Sequence, residues 1–281
     1  MLDSVGCLLA KRRYRLKNGR GAEAKAALCS RLTGAANPGG YLSFRLSFIH
    51  WATRQARRLG IDVQTVKRHP GLFEFLASRN VDLVLDVGAN TGQFAQRLRH
   101  FGYRGEIVSF EPLTTAYNVL KRASDRDPRW VARNVALGAA SEERILNVSE
   151  YTAFSSLLKN TDYAEKFDSG ARVVRTESVR VEPLDGLGLD LAGRRSFLKI
   201  DTQGFEREVL EGARSVIGQL QGVLMELPIR PLYEGVWSVS QAIDYMLALG
   251  FVIAQIAPVN VDPYDPVSAV EIDCLFKRLA G

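Results

Sequence analysis

The sequence predicts an α/β protein with a mostly parallel β-sheet covered by helices on both faces. From residue 72 onward, short apolar runs alternate with helical stretches, which is the pattern of such a sheet. The first apolar run continues directly into a glycine-bearing loop, as in strand–loop–helix units that bind nucleotides. An apolar fraction of 46% and a charged fraction of 24% exclude a disordered, collagen-like or coiled-coil chain.

The predicted elements follow the chain in order, and no internal repeat interrupts them. The predicted strands are Leu83–Val87, Ile107–Phe110, Trp130–Asn134, Ile145–Ser149, Val173–Val181, Ser196–Ile200, Val223–Leu227, Phe251–Ile256 and Val270–Lys277. The predicted helices cover residues 91–101, 113–124, 204–219 and 238–249. A turn-rich link, residues 257–266, joins the last two strands, so we expect an antiparallel hairpin that closes the edge of the sheet.

The N-terminal segment differs in charge from the rest of the chain. Residues 1–70 contain fourteen Lys or Arg and three Asp or Glu, whereas the remainder contains twenty-three and twenty-eight. We therefore predict two regions, a basic and mainly helical extension at 1–71 and a main domain at 72–281. The extension is suited to an anionic surface, either lipid headgroups or nucleic acid, and a solvated leader is an equally good interpretation. Residues 41–59 are typical of an amphipathic helix that lies on a membrane or packs on the main domain.

Targeting and redox signals favour a cytosolic protein, with peripheral contact at the inner membrane face as an open alternative. No window approaches the ~20 consecutive apolar residues of a membrane-spanning helix. At the N-terminus a short apolar stretch precedes the charges, the reverse of a secretory signal. Cys7, Cys29 and Cys274 are odd in number and lack a CxxC spacing, which argues against a disulfide framework or a zinc site.

The loop after the first strand carries the strongest functional signal. Gly88 and Gly92 permit a tight turn and close backbone approach, and Asn90 tolerates left-handed backbone angles. Neither the G-x-G-x-x-G spacing of dinucleotide-binding loops nor a Walker A motif is present. A carboxylate at Asp86 would repel a pyrophosphate and attract the ammonium of a methionine moiety, so the pattern favours S-adenosylmethionine over NAD.

The next two strand ends complete the predicted cofactor site. Glu111 follows the second strand, nineteen residues beyond Gly92, where an acidic side chain binds both ribose hydroxyls. Ala89 in the first loop and Pro112 beside Glu111 are assigned to the same site. Asn134, at the end of the third strand, either hydrogen bonds the adenine ring or only caps a turn.

The second half of the chain supplies the predicted acceptor site. Asp201 and Glu226 follow the fourth and fifth core strands, whose ends share the sheet edge with Asp86 and Glu111. Lys199 projects to the same side as Asp201 and needs a carboxylate partner, either Asp201 or Glu226. A purely structural ion pair is the alternative interpretation.

Activation of a hydroxyl acceptor requires a base. The three histidines, His50, His69 and His100, all lie in the first half of the chain, so we expect a carboxylate or a bound metal to serve. The sequence shows no dense cluster of metal ligands. Glu206 suits the dipole of a helix N-terminus, and the segment around Ser155 and Ser156 forms either a lid or an ordinary excursion of the chain.

Four segments of the chain resemble the FkbM family of S-adenosylmethionine-dependent methyltransferases. They are LDVGANTGQF (85–94), IVSFEP (107–112), NVALG (134–138) and KIDTQGFE (199–206) followed by VLEGA (209–213). The resemblance covers roughly residues 72–278 and implies a class I methyltransferase fold, a seven-stranded sheet with an antiparallel last strand. It also implies methyl transfer to hydroxyls of sugars, glycolipids or macrolide-like natural products. Asp86, Gly88, Asn90, Gly92 and Glu111 match the cofactor motifs of the family.

Two other functions remain open from the sequence. The basic leader permits a nucleic-acid-binding protein that uses the main domain as a scaffold, although the rest of the chain is acidic. An NAD-dependent oxidoreductase is disfavoured by the glycine spacing.

Overall fold

The computed structural model describes residues 71–279, which form a mixed α/β unit. Its strands are β1 Leu83–Val87, β2 Glu106–Phe110, β3 Trp130–Arg133, β4 Ala136–Leu137, β5 Glu142–Ser149, β6 Val173–Glu182, β7 Ser196–Ile200, β8 Leu220–Pro228, β9 Phe251–Asp262 and β10 Asp265–Arg278. Its α-helices are α1 Leu72–Ser78, α2 Gln93–His100, α3 Thr114–Ser124, α4 Ala164–Phe167, α5 Glu206–Glu211 and α6 Val239–Ala248.

The main sheet has seven strands in the order β3-β2-β1-β7-β8-β10-β9. Five neighbouring strands of this sheet, β3, β2, β1, β7 and β8, are mutually parallel. Strand β10 inserts between β8 and β9 and is antiparallel to both. The predicted fold class, with its antiparallel last strand and its closing hairpin, is therefore confirmed.

The central strands are buried because helices cover both faces of the sheet. Every residue of β1 and of β7 is buried, in keeping with their continuous apolar sequences. Val209 of α5 and Met246 of α6 pack against one face. Leu98 of α2 and Leu120 of α3 pack against the other. This packing holds the ends of β1 and β7 side by side at one sheet edge.

Two predicted strands lie outside the main sheet. Strands β5 and β6, which correspond to the predictions at Ile145–Ser149 and Val173–Val181, form a separate three-stranded sheet with β4. Only one face of this small sheet is buried, and Leu146, Val148 and Val179 pack against Leu113 and Ala116. The prediction identified these strands correctly but could not tell which sheet they join.

The predicted helix at 204–219 is shorter in the structure. Helix α5 ends at Glu211, and a separate 3-10 turn follows at Ile217–Gln219. A Cβ atom at Gly212 would lie 1.9 Å from the carbonyl oxygen of Gly138, so the chain passes too close to that loop for a continuing helix with a larger side chain. Helix α2 begins at Gln93 because Gly92 has a left-handed backbone with φ of 91°.

Several predictions fall outside the described residues. They concern the extension at 1–71 except Gly71, its helix at 41–59, and the residues Cys7, Cys29, His50 and His69. The predicted boundary at residue 72 stays a prediction for the same reason. Within residues 71–279, none of the helices has the length and apolar character needed to cross a membrane.

Candidate active site

A cavity of about 750 Å³ opens at the carboxyl ends of β1, β2, β7 and β8. This edge of an α/β sheet is where ligands bind in such folds. The cavity is lined by the predicted residues Gly88, Ala89, Asn90, Glu111, Pro112, Lys199, Asp201 and Glu226. The other three predicted residues do not line the cavity; they are Asp86, Gly92 and Asn134.

The loop after β1 owes its path to its two glycines. Gly88 has φ of 71°, and a Cβ atom there would lie 1.8 Å from the carbonyl oxygen of Asp201. Gly92 instead faces away from the cavity, where a Cβ atom would lie 2.8 Å from the ring of Trp130. Asn90 adopts a left-handed backbone with φ of 47°, as expected of an asparagine at this position. Gly88 therefore shapes the cavity, whereas Gly92 lets α2 pack on the sheet.

Glu111 is fixed by two backbone donors at the end of β2. Its Oε2 accepts a hydrogen bond of 2.7 Å from the Asn90 amide, and its Oε1 accepts one of 2.9 Å from the Leu113 amide. Burial raises the pKa of Glu111 to about 7, against the opposing effect of these two hydrogen bonds. The group thus ties the first loop to the second strand and changes charge near neutral pH.

Asn134 supports the turn after β2, which carries Glu111 and Pro112. Its Nδ2 donates hydrogen bonds of 2.9 Å to the carbonyl oxygens of Glu111 and of Pro112. The structure therefore shows the turn-capping role, one of the two interpretations of this residue. Contact with an adenine ring stays a prediction.

Lys199 connects the two halves of the site. Its Nζ lies 3.3 Å from Asp86 Oδ1 and 3.4 Å from Asp201 Oδ2, and it donates a hydrogen bond of 3.0 Å to the carbonyl oxygen of Gly88. Burial by itself lowers the pKa of Lys199, but the two carboxylates outweigh it and hold that pKa above its usual range. Of the two partners predicted for Lys199, Asp201 is found and Glu226 is not. Asp86 is the second partner, which the sequence did not predict.

Asp86 is a fully buried residue of β1, flanked by Ser109 on β2 and Lys199 on β7. Its Oδ2 accepts a hydrogen bond of 3.0 Å from Ser109 Oγ, which in turn accepts one of 2.9 Å from Trp130 Nε1. Burial raises the pKa of Asp86, and the charge of Lys199 opposes that rise. In this geometry Asp86 contacts Lys199 rather than the cavity. The predicted contact with the ammonium of the cofactor's methionine moiety stays a prediction, and the contact that the structure shows is the ion pair with Lys199.

The acceptor half of the cavity contains several carboxyl groups. The side chain of Asp201 is 36% exposed, and its Oδ1 accepts a hydrogen bond of 2.8 Å from Gln203 Nε2. Burial, followed by the charges of Asp201 and Glu271, raises the pKa of Glu226 to about 10. Glu226 is therefore protonated at neutral pH, and the side chain of Asp201 is open to the cavity.

Three further residues of this half were not predicted. Glu271 and Asp273 lie on β10, which places Asp273 opposite Glu226 on β8, and both line the cavity. Their alternation along an apolar strand was visible in the sequence, but their position depends on the insertion of β10 between β8 and β9. Gln203 belongs to the KIDTQGFE segment, and its contacts with Asp201 and Glu226 appear only in the structure.

The segment after β5 borders the cavity. Tyr151, Thr152 and Phe154 are among its lining residues, and Thr152 Oγ1 lies 3.4 Å from Asn90 Oδ1. Ser156 Oγ donates a hydrogen bond of 2.7 Å to the carbonyl oxygen of Gln203. The sequence is compatible with either a lid or an ordinary excursion of the chain here, and the segment lies beside both the cofactor half and the acceptor half of the site.

Glu206 has the structural role that was predicted for it. Its Oε1 accepts hydrogen bonds of 3.0 Å from the amides of Thr202 and Gly204 and from Thr202 Oγ1. These bonds shape the turn that follows β7. Within residues 71–279, no group of three or more His, Cys, Asp or Glu side chains is arranged to hold a metal ion.

The sequence matches the family described as Methyltransferase FkbM domain over residues 86–253, which is more than half of the chain. The chain belongs to the FkbM methyltransferase family. The match includes the loop after β1, Glu111 and the KIDTQGFE segment, so it spans both halves of the cavity. No curated protein sequence is significantly similar to this FkbM chain.

Solved structures resemble this FkbM chain only distantly. The crystal structure of a methyltransferase FkbM from Methylobacillus flagellatus KT has 16% identity and a TM-score of 0.46, covering 70% of this chain and 44% of that one. A putative RNA methyltransferase from Pyrococcus horikoshii has 14% identity and a TM-score of 0.40, covering 76% and 87%. Aeropyrum pernix fibrillarin, with bound S-adenosylmethionine, has 16% identity and a TM-score of 0.38, covering 69% and 66%. The present chain thus spans less than half the length of the Methylobacillus protein.

S-adenosylmethionine is the methyl donor of the FkbM family, and the cavity fits a ligand of this kind. Its volume of about 750 Å³ lies within the usual range for small-molecule and cofactor sites. The backbone of Gly88, Ala89 and Asn90 lines the cavity, and the buried carboxyl of Glu111 faces the same cavity. Close backbone approach and an acidic group at the second strand are the two features that a nucleoside with free ribose hydroxyls requires.

Proposed function

We propose that this FkbM protein is an O-methyltransferase that methylates a hydroxyl of a sugar, a glycolipid or a related natural product. The observation that carries the proposal is the position of Asp201. Its carboxylate is 36% exposed and lines the same cavity as Gly88 and Glu111, so a base and the predicted cofactor loop face one space. Alkylation of a hydroxyl needs this combination, because an alcohol is a weak nucleophile until its proton is removed.

In this proposal the first half of the cavity holds the cofactor. The Glu111 carboxylate accepts hydrogen bonds from the ribose hydroxyls, and Pro112 lies beside it. The backbone of Gly88, Ala89 and Asn90 follows the nucleoside closely. Bound S-adenosylmethionine supplies a methyl group activated by its positively charged sulfur. Asn134 supports this half by donating hydrogen bonds to the carbonyl oxygens of Glu111 and Pro112. Asp86 supports it through its ion pair with Lys199.

In the second half, Asp201 removes the proton of the acceptor hydroxyl. Lys199 and Gln203 each bind one carboxylate oxygen of Asp201, which fixes its orientation. Glu226 lies in the same half of the cavity and assists through its contact with Gln203, which also holds Asp201. Alignment of the acceptor and exclusion of water account for much of the rate in an in-line displacement.

The charge of the acceptor half favours a neutral acceptor. Asp201, Glu226, Glu271 and Asp273 line it, and Arg97 is the positively charged residue that accompanies Lys199 in the cavity lining. Such a surface offers a phosphate group few positive charges, which disfavours a nucleic-acid acceptor. Carboxyl and amide groups instead provide many acceptors for the hydroxyls of a sugar.

The charge of the N-terminal extension favours an acceptor that is a glycolipid held in a membrane. Residues 1–70 carry a net charge of +11, which suits an anionic lipid surface. Peripheral binding of the protein would present such an acceptor to the cavity without removing it from the bilayer.

The test is a search for the methylated product. The full-length protein is incubated with S-adenosylmethionine labelled in its methyl group and with a lipid-plus-polysaccharide extract, and a parallel reaction contains total RNA. We expect the label on a hydroxyl oxygen of a carbohydrate-containing molecule, as identified by mass analysis. Label on nitrogen, or label in the RNA reaction alone, would overturn the O-methyl assignment.

A further inference from the structure

Gln203 occupies a backbone position that is unfavourable for glutamine. Its φ is 56°, in the left-handed region, and the following Gly204 has φ of 102°. Left-handed angles are routine for glycine and tolerated by asparagine, but they strain a residue with a longer side chain. The turn after β7 could therefore be formed with less strain by another residue, and the side chain of Gln203 must supply the compensation.

The Gln203 amide is the centre of a network between the two acceptor-side carboxyl groups. Its Nε2 donates to Asp201 Oδ1 at 2.8 Å and to Glu226 Oε1 at 3.3 Å. Its Oε1 accepts a hydrogen bond of 2.7 Å from the hydroxyl of Tyr233, which is buried. A carboxylate can only accept, so the NH₂ group must face Asp201 and the amide oxygen must face Tyr233. Both amide hydrogens are then used, one for each carboxyl group.

Glu226 has a second partner, Glu271, which lies on β10. Glu226 and Glu271 are hydrogen-bonded to each other, and Asn260 Nδ2 donates a hydrogen bond of 2.6 Å to Glu271 Oε2. Two carboxyl groups can form a hydrogen bond only when one of them holds a proton. The groups that face Glu226 are the carboxyls of Asp201, Glu206, Glu271 and Asp273, and each disfavours its ionisation.

We propose that Gln203 is a positioning residue that keeps two neighbouring carboxyl groups in different roles. Its amide holds the carboxyl group of Asp201 at the cavity and occupies Oε1 of Glu226, which leaves the other oxygen of Glu226 for the hydrogen bond with Glu271. Without Gln203, Asp201 loses one of the two contacts that fix its orientation, and Glu226 loses the donor to its Oε1. The kinetic part of this inference rests on the proposed function, whereas the hydrogen-bond arrangement does not.

The decisive substitution is Gln203→Gly. Glycine adopts the left-handed backbone without strain, so the variant is expected to fold, because the relief of strain offsets part of the stability lost with the three hydrogen bonds of the Gln203 side chain. Asn80→Gly is the matched control, because Asn80 has φ of 47° and lies outside the cavity lining. It relieves the same kind of backbone strain and should leave activity unchanged.

The kinetic measurement is methyl transfer from labelled S-adenosylmethionine into the lipid-plus-polysaccharide extract. We expect Gln203→Gly to lower kcat by ~10²-fold, the scale of a misplaced catalytic group. Binding of S-adenosylhomocysteine, measured by calorimetry, should change by less than about twofold, since Glu111 and the loop after β1 are untouched. A variant with wild-type kcat, or one that loses cofactor binding in parallel with activity, would overturn the positioning role.

An infrared measurement tests the same inference without any acceptor. At a pH between the pKa of about 7 of Glu111 and Glu206 and the pKa of about 10 of Glu226, the wild type should show the carbonyl stretch of a protonated carboxyl group, and the difference spectrum against Glu226→Gln should assign it. In Gln203→Gly that band should move to higher wavenumber, because a carbonyl oxygen that loses its hydrogen-bond donor vibrates at higher frequency. An unshifted band would show that Gln203 does not hold Glu226. If Gln203→Gly fails to fold, Tyr233→Phe, which frees the orientation of the amide, must give the same shift.

The two proposals fail in different ways. If the wild type methylates nitrogen or no molecule in the extract, the O-methyl assignment is wrong, but the infrared shift still decides the role of Gln203. If the wild type makes an O-methyl product and the infrared band does not move, the O-methyl assignment stands and the positioning role is wrong.

Discussion

Gly88 and Asp201 meet backbone to backbone: a Cβ atom added to Gly88 would lie 1.8 Å from the carbonyl oxygen of Asp201. The Asp201 amide also donates a hydrogen bond of 3.1 Å to the carbonyl oxygen of Val87. The loop that shapes the cofactor half of the cavity is therefore in direct contact with the turn that carries the acceptor-side carboxylate. A change at either residue is transmitted to the other half of the site.

Gly88→Ala should separate these two segments. Alanine is strained at φ of 71° and would also overlap the backbone of Asp201, and each effect costs ~1–3 kcal/mol. We expect the free energy of unfolding to fall by about 3 kcal/mol, with a loss of S-adenosylhomocysteine binding. Denaturant unfolding and calorimetry measure the two effects. The control is Gly102→Ala, where φ is 97° and no atom lies within 4 Å of the added carbon, so only the backbone strain remains. Equal losses in both variants would show that the close approach has no energetic importance.

Lys199→Met should destabilise the protein because it leaves Asp86 buried without its ionic partner. Removal of one partner from a buried ion pair typically costs ~3–5 kcal/mol. The control Lys121→Met breaks an exposed ion pair with Asp125 and should cost less than about 1 kcal/mol. Adding Asp86→Asn to Lys199→Met should recover much of the lost unfolding free energy. A double variant as unstable as Lys199→Met alone would indicate that Lys199 stabilises the fold by packing.

Asp201→Asn tests the proposed base. The amide keeps the size of the side chain but cannot take a proton, so turnover should fall by ~10²–10⁴, the usual contribution of a general base. Affinity for S-adenosylhomocysteine should barely change. Asp244→Asn, on helix α6 and outside the cavity lining, is the control. A folded Asp201→Asn protein with normal turnover would leave Asp201 only its structural ion pair with Lys199.

Glu111 predicts a pH-dependent cofactor affinity. Its pKa is raised to about 7, and the ionised form accepts ribose hydroxyls better, so S-adenosylhomocysteine affinity should be full above pH 7. Below that pH it should weaken by up to about tenfold per unit. Glu111→Gln should bind ~1–3 kcal/mol more weakly at pH 8 and lose this dependence. Calorimetry at several pH values measures both effects.

The control for this titration is Glu106→Gln, because Glu106 lies at the opposite end of the same strand. Affinity of the wild type that stays constant between pH 6 and 8 would contradict the proposed ribose contact. In the ligand-free protein the sign is reversed. The raised pKa means that folding favours protonated Glu111, so its contribution to stability is complete below pH 4.5 and is lost as the pH rises to about 7.

The parts of this protein that sequence predicts well are those that depend on local patterns. Strands β1 and β7 are mainly apolar runs buried on both faces, and the residues that follow them, Gly88 and Asp201, necessarily meet at one edge of a parallel sheet. The positions of Glu111 and Pro112 follow from the same rule. These residues lie at one sheet edge whenever their strands are parallel neighbours, so the sequence predicts that they are close together.

The contacts that sequence did not predict depend on distant pairing. Asp86 and Lys199 meet because β1 and β7 are neighbours in register, although 112 residues separate them along the chain. Asp273 reaches Glu226 because β10 inserts between β8 and β9. The role of Gln203 depends on its left-handed backbone, and a glutamine in the sequence does not predict that conformation. Strands β5 and β6 show why a strand pattern alone does not specify the sheet that a strand joins.

The charge of the leader gives the last prediction, which concerns membrane binding. Each Lys or Arg near an anionic bilayer contributes about 1 kcal/mol, so the triple variant Arg12→Gln, Arg13→Gln, Arg15→Gln should bind anionic vesicles ~10²-fold more weakly than the wild type. The matched control is Lys121→Gln, Arg122→Gln, Arg126→Gln, which removes the same charge from exposed positions of α3 and the turn after it. Sedimentation with vesicles that contain an anionic phospholipid measures the effect, and high salt should reduce wild-type binding because it screens these charges. Cofactor affinity should be the same in all three proteins. If the wild type does not sediment, or if both triple variants lose binding equally, the leader is not the membrane contact and the acceptor must reach the cavity from solution.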